Sequence, residues 1–315
     1  MINFDSISKK IKVFDNPDKK LKIHKKKTSL LGGTILIINF ILFFIINLLF
    51  QNIFFELTNK EISFFLFLVI SFYLIGLYDD IYKIIPNLKL FLVIASTFLV
   101  VIFYPEFSLK LIKISFIEKN YFFNQLSIPF TILSFALLAN AFNMFDGIDL
   151  QLIIYSIFIF LFFLFKDIFL ILSLVILISL LFLFYLNLKK KIFLGDSGAF
   201  ALSGIVGFIF VYNYNNDPLF ISSDEIFLLL MVPGIDMLRL FTMRIYRKKN
   251  PFKGDLNHLH HLLKQKYENI LKVNFILSLF YTIPFIFLLV GVKSYVILSI
   301  YCVMYIYSLK YLSRH

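Results

Sequence analysis

The chain has 315 residues, is 60% hydrophobic and 16% charged, and carries a formal net charge of +12; its mean hydropathy is +0.88. Soluble domains are about half apolar, so this composition excludes an ordinary soluble enzyme and leaves a helical bundle in a bilayer. The single cysteine, Cys302, excludes an intrachain disulfide and a cysteine metal site. The basic residues form short collars around apolar runs, so no nucleic-acid partner is expected.

The first thirty residues are polar and basic, with Lys9, Lys10, Lys12, Lys19, Lys20, Lys22 and Lys25 to Lys27; they are not expected to be a cleavable signal peptide. A spanning helix needs about 20 mainly apolar residues. Ten stretches meet that need, at roughly 31–51, 62–78, 88–104, 126–144, 151–165, 168–187, 198–213, 225–245, 273–291 and 293–311. The fifth is at the short limit, and Lys166 and Asp167 mark its turn into the sixth. The expected fold class is an all-α polytopic membrane protein, a single integral-membrane domain over 1–315, with a basic segment 1–30 and a histidine-containing loop 246–272.

Orientation follows from lysine and arginine in short loops. Lys189 to Lys191 and the Arg244–Lys253 stretch fall on the same side as the basic N-terminal segment. That side is expected to be cytoplasmic, with both termini inside. Four polar clusters lie on it: Asp79-Asp80, Asn140 to Asp149, Phe193 to Asp196, and Asn257 to His261. Carboxylates and imidazoles from distant parts of the chain then share one water-facing surface, the layout of an enzyme working on a charged substrate at the bilayer boundary.

Each cluster has its own chemistry. Adjacent carboxylates at Asp79 and Asp80 suit Mg²⁺, a proton relay or phosphate positioning; a solvated helix end is the plainer alternative. Lys89, after Pro86, can neutralise a phosphate or simply snorkel at the boundary. Asn140, Asn143, Asp146 and Asp149 are three apart and line one helical stripe until Gly147 loosens the turn. Amides and acids at membrane depth are costly, an acid at mid-span about 2.5–3.5 kcal/mol on insertion scales, so a stripe of four such groups points to function. Gly195 and Gly198 flank Asp196 at a helix start, where free amides favour phosphate and Asp196 can bind Mg²⁺; helix capping is the alternative. His258 and His261 are i, i+3 and can share a face that His260 leaves. Beside Arg244, Arg247 and Lys253 they read as diphosphate or sugar contacts, with zinc disfavoured because no HExxH or zinc-finger spacing is present. His24 sits in a basic segment that could join the site.

Together these motifs resemble the polyprenyl-phosphate N-acetylhexosamine-1-phosphate transferases, the MraY/WecA-like glycosyltransferase family 4. The resemblance runs in order over roughly residues 15 to 270. Asp15 to Pro17, His24, Thr28 and Gly32-Gly33 fit its first stretch. Asp79-Asp80 with Pro86 and Lys89 fit its paired aspartates. Asn140 to Asp149 fit NxxNxxDGxD, and Phe193 to Gly198 fit FxGDxG. Pro233, Asp236, Arg239, Arg244 and Asp255 to His261 fit its last loop, and the His-Leu-His-His form is similar to the WecA branch.

The resemblance implies transfer of a sugar-1-phosphate, N-acetylglucosamine-1-phosphate in the first instance, from a UDP-sugar to undecaprenyl phosphate, releasing UMP and starting cell-envelope polysaccharide synthesis. It implies Mg²⁺, with Mn²⁺ as the alternative ion, held at Asp196. Asp79, Asp80, Asp196 and His258 would be catalytic, with Asp79 and Asp80 on the lipid phosphate. Lys89, Asn140, Asn143, Asp146, Asp149, Arg244, His260 and His261 would bind substrate, Asp149 near the uracil. It further implies a bacterial inner (plasma) membrane location, contact with membrane lipid, and a homodimer. Three positions depart from the pattern: Leu150 where Gly is expected, Ala199 for Ser and Leu256 for Arg. The family usually has eleven spans, and this chain is expected to lack the first. A transporter or an inactive scaffold homologue are the competing readings; a transporter would carry its ionisable groups near the midplane.

Overall fold

The computed structural model describes residues 13–15, 28–50, 57–217, 221–251 and 255–312. His24, Lys253 and His315 lie outside these. Among the described residues nine helices are long and apolar enough to cross a membrane, and a tenth is shorter. In chain order the long ones are α1 (Gly32–Leu49), α2 (Asn59–Tyr82), α3 (Pro86–Phe103) and α4 (Ser127–Phe145), then α6 (Leu170–Leu188), α7 (Gly195–Asn216), α8 (Ser223–Tyr246), α10 (Ile270–Leu289) and α11 (Ser294–Leu312). The short spanning helix is α5 (Gln151–Phe165), and α9 (Leu259–Lys266) is a further eight-residue helix in the loop after α8. A helix stands at each of the ten expected stretches, nine of them long enough to cross a membrane; in α8, where Pro233 removes a donor, the Leu229 carbonyl accepts Tyr155 Oη at 2.8 Å instead.

Two short hairpins stand outside the spans: β1 (Phe14–Asp15) with β2 (Thr28–Ser29), and β3 (Leu111–Ile112) with β4 (Tyr121–Phe122). The second lies in the loop between α3 and α4.

α7 is the axis of the bundle. Its spanning window is 89% buried, against 22% for α3 and α11. It packs on α2 over most of its length and also on α1 and α4. Small residues make that closeness feasible. A Cβ on Gly76 of α2 would lie 2.4 Å from the Asp196 carbonyl oxygen, and one on Gly33 of α1 would lie 2.3 Å from the Gly198 nitrogen. Backbone touches backbone at both places.

The end opposite the clusters is pinned by two capping boxes. Thr58 and Glu61 start α2, with the Thr58 amide donating to Glu61 Oε2 at 2.8 Å. Ser222 and Glu225 start α8, with the Ser222 amide donating to Glu225 Oε2 at 2.7 Å. Such caps contribute about 0.5–2 kcal/mol each. Both are legible as Ser/Thr-x-x-Glu.

Leu150 explains one departure from the family pattern. Its φ is +70°, the left-handed region that glycine enters freely. A bulky residue there costs about 1–2 kcal/mol. The Leu150 side chain is 2% exposed, and burying a leucine contributes about 1.5–3 kcal/mol. Burial therefore offsets the backbone strain.

Candidate active site

The carboxylate half of the site starts from the last turn of α2. Asp79 Oδ1 accepts the Ile84 amide at 2.8 Å, which closes the turn into α3. Asp79 Oδ2 accepts Lys89 Nζ at 2.8 Å, and the same ammonium reaches Asp196 Oδ2 at 3.3 Å. Pro86 at the start of α3 sets that helix and so places Lys89 in its first turn. Lys89 thus joins two of the four clusters in a single ion-paired group.

Asp80 points a different way from its neighbour. Its two oxygens accept the amides of Asp196 and Ser197, each at 3.0 Å, and it is 4% exposed. Those are the amides that the helix start would otherwise offer to a phosphate. They are taken, because a carboxylate from a neighbouring helix caps the positive end of α7. Gly195, at φ +76°, turns the chain into this position; a Cβ there would meet Asp80 Oδ2 at 2.8 Å. The turn before it is also tied to α1. The Gly32 amide donates to the Phe193 carbonyl at 3.1 Å and the Gly33 amide to the Leu194 carbonyl at 2.9 Å, while the Phe193 amide donates to the Ser29 carbonyl at 2.8 Å.

The histidine half is built from α8, α9 and α11. Asp236, 3% exposed within α8, accepts His258 Nδ1 at 2.8 Å. It also accepts Arg239 Nη2 at 2.8 Å and Tyr305 Oη at 2.6 Å. Arg239 Nη2 donates further to the Asn257 carbonyl at 2.7 Å. His258 is the residue at which α9 starts. Arg244, 4% exposed, donates through Nε to Asp255 Oδ2 at 2.9 Å and through Nη1 to the Pro251 carbonyl at 2.7 Å. Burial pushes the Asp255 carboxyl up, but the Arg244 guanidinium and the Asn257 amide overcome this and hold it below the usual carboxylate range.

The two halves meet at a cavity of about 340 Å³ lined by Lys89, Asn140, Asn143, Asp255, His258 and His261, with Pro86, Met144, Gly147, Phe200, Phe241 and Leu256. All four polar clusters therefore converge, the asparagine stripe and the histidine loop on the cavity itself, and Asp79 and Asp196 through Lys89. His258 and His261 share the face that their spacing predicts. His260 is 1% exposed and turned inward, edge-on to Phe145 and against Gly147. Burial, then His261 and His258, hold its ring well below the usual imidazole range. His261 is pushed down to about 4, by burial first and then by His258.

Several expected contacts fall elsewhere. His260 and Arg244 are not among the lining residues; they brace the loop from behind. The four-residue stripe is shorter than its spacing suggested, because α4 ends at Phe145. Asn140 and Asn143 face the cavity, Asp146 caps the helix end, and Asp149 lies in the following turn, where its carbonyl accepts Asn274 Nδ2 at 2.9 Å. Asp236 and Arg239, matched to the family's last loop without a role, and Tyr305, which no motif marks, are part of this centre. Asp236 had a usable signal, a lone acid in an apolar span; Tyr305 had none. A second cavity of about 260 Å³, between α4, α7 and α8, is lined mainly by apolar side chains such as Phe130, Leu138, Phe210 and Leu230.

Fold and site together define a polytopic helical membrane protein with a carboxylate, lysine and histidine centre at one end of its spans. Comparison with known sequences agrees. The profile of glycosyl transferase family 4 matches residues 62–213, which carry Asp79, Asp80, Lys89, Asn140 to Asp149 and Asp196. The chain is 29% identical over 307 residues to the undecaprenyl-phosphate alpha-N-acetylglucosaminyl 1-phosphate transferase of Thermotoga maritima, covering 94% of this chain and 91% of that one. It is 26% identical to a probable undecaprenyl-phosphate N-acetylglucosaminyl 1-phosphate transferase of Bacillus subtilis, over 82% of this chain and 71% of the other. It is 28% identical to a phospho-N-acetylmuramoyl-pentapeptide-transferase of Clostridium novyi, over 58% and 60%. Residues 62–213, just under half of the chain, thus resemble glycosyl transferase family 4.

Proposed function

We propose that the protein transfers N-acetylglucosamine-1-phosphate from UDP-N-acetylglucosamine to undecaprenyl phosphate at the cytoplasmic face of the bacterial inner membrane, releasing UMP and starting a cell-envelope polysaccharide. The observation that carries this reading is the convergence on one cavity of phosphate-binding and carboxylate groups: Lys89, His258 and His261 with two asparagines, and Asp79 and Asp196 joined to it by Lys89. The names of the Thermotoga and Bacillus relatives favour N-acetylglucosamine as the sugar.

An oxygen of the lipid phosphate forms a bond to the sugar-bearing phosphorus, and the bond from that phosphorus to the UMP oxygen breaks. Lys89 and His258 hold the phosphate oxygens, where charge-assisted donors bind most strongly. Asp79 Oδ2, beside Lys89, takes a proton from the lipid phosphate. Asp80 keeps Asp196 in place rather than touching substrate. Asn140 and Asn143 offer amide contacts to the sugar or the uracil.

The residues present fit Mg²⁺. Asp79 and Asp196 place hard carboxylate oxygens on either side of one ammonium, an arrangement that already favours a cation, and oxygen donors are what Mg²⁺ takes. Asp196 would hold it, with Asp79 left as the proton acceptor, and when bound it would neutralise charge on the diphosphate oxygens. Mn²⁺ suits the same donors. The basic loops support an orientation with both termini inside.

Purified protein with undecaprenyl phosphate, Mg²⁺ and a panel of radiolabelled UDP-sugars tests it. Lipid-soluble label is expected from UDP-N-acetylglucosamine above the other sugars, and EDTA should abolish it. Full turnover in EDTA would remove the metal, and no lipid label from any UDP-sugar would remove the transferase.

A further inference from the structure

His258 is held by a chain of donors that ends in the last span. Arg239 Nε donates to Tyr305 Oη at 3.0 Å. Tyr305 Oη donates to Asp236 Oδ1 at 2.6 Å. Asp236 Oδ2 lies 2.8 Å from His258 Nδ1, and the Leu259 amide donates to both carboxylate oxygens, at 3.2 and 3.3 Å. An ionised carboxylate only accepts, so the proton on this edge of the ring sits on Nδ1. Nε2 is left as the ring's other nitrogen, on a residue that lines the cavity.

We infer that Asp236 and Tyr305 are positioning residues for His258, and that the last span, α11, is thereby a working part of the site. The inference rests on the transferase reading above only for its kinetic arm. Asp236 and Tyr305 are both buried, and neither is among the residues that line the cavity. Asp236 accepts from three side chains and one amide, and its only ring partner among these contacts is the histidine that faces the cavity. Tyr305 supplies a short hydrogen bond to the same carboxylate. Removing it takes away the shortest of the four donors that hold Asp236 and loosens its side-chain torsion, and with it the setting of His258. Buried networks of this kind act as a unit, which double-mutant cycles detect.

The test uses full-length protein with ¹⁵N-labelled histidine, in detergent, compared with Tyr305→Phe and Asp236→Asn. In the wild type the His258 signals should show one tautomer, protonated at Nδ1. In Asp236→Asn a mixture of tautomers should appear. Tyr305→Phe keeps the ring and its packing, and should lower kcat about tenfold while the KM for UDP-N-acetylglucosamine changes less than about twofold, the pattern of an interaction that matters in the transition state. In a His258→Ala background the same substitution should change kcat hardly at all. An unchanged kcat in Tyr305→Phe overturns the proposal. So does an equal loss with and without His258, which marks a purely structural role. A wild-type His258 protonated at Nε2 alone overturns it even if both variants fail to fold. Absence of any transfer by the wild type instead counts against the transferase reading, and the tautomer arm still decides the Asp236–His258 geometry.

Discussion

Asp196 is fixed by backbone contacts and His258 by side-chain contacts. Around Asp196, the amides of Asp196 and Ser197 are capped by Asp80, and the preceding turn is hydrogen-bonded to residues 29–33. Glycines at 33 and 76 bring whole helices to within contact of it. Around His258, a short helix after a loop is held by Asp236, Arg239 and Tyr305. Backbone contacts between spans allow little displacement, because no side chain can rotate to absorb it. A side-chain network tolerates small shifts and can be retuned one residue at a time. The carboxylate group around Asp196 is thus the stiff part of the site, and the histidine loop the adjustable part.

The largest test of this contrast is at Asp196. Asp196→Asn should reduce transfer by about a thousandfold while the protein still inserts and melts near the wild-type temperature, because the Asp80 cap uses backbone amides that remain. A near-normal enzyme would break the assignment. On the histidine side, His258→Ala should lower transfer about a hundredfold, and His260→Ala, whose ring faces inward, much less. Equal losses would mean that the cavity face has been wrongly drawn.

Two glycines sharpen the comparison further. Gly76→Ala drives a Cβ into the Asp196 carbonyl, and overpacking against backbone costs typically about 1–3 kcal/mol. It should lower the melting temperature and the activity together. Gly147→Ala meets the His260 ring, at 2.0 Å from Nε2, on a helix of eight residues that can shift. It should lower activity with a smaller change in melting. Equal melting losses would erase the distinction between a stiff half and an adjustable one.

The smallest effect is in pH. His260 and His261 are depressed in the folded loop, the latter to about 4, below the ordinary imidazole value of about 6.5. Below about pH 6.5 the unfolded loop therefore binds more protons than the folded one. Loop stability is whole above that pH and is lost as pH falls from about 6.5 towards 4. Protection factors over 255–267, taken relative to the intrinsic exchange rate at each pH, should fall at pH 5.5 relative to 7.5, while those over 193–200 hold. An equal fall in both segments would contradict the contrast.

The spans were legible because a 20-residue apolar run is a length signal that little else produces. The clusters were legible because charge near a bilayer is costly and so is kept for a reason. The short fifth span was legible from Lys166 and Asp167 alone. What escaped the sequence was direction. Adjacent aspartates look alike in a string, yet a helix turns about 100° per residue, so Asp79 meets Lys89 while Asp80 meets α7. The spacing of Asn140, Asn143, Asp146 and Asp149 suggested one continuous stripe, but the helix stops at Phe145. Tyr305 is one of many tyrosines in an apolar segment, and only tertiary packing shows what its hydroxyl does.

The hydrogen bonds between residues 29–33 and 192–194 also set an order of assembly. A ribosome delivers α1 long before α7. Until the turn at 193–195 arrives, the amides of Gly32 and Gly33 have no strand to bind and the Asp80 carboxylate has no helix end to cap. A nascent chain carrying six of the spanning helices thus holds polar groups at its membrane surface that only water can satisfy. Insertion of α7 satisfies all of them at once and locks the first third of the protein to the middle. The step that completes the catalytic centre is the same step that commits the bundle to its final shape.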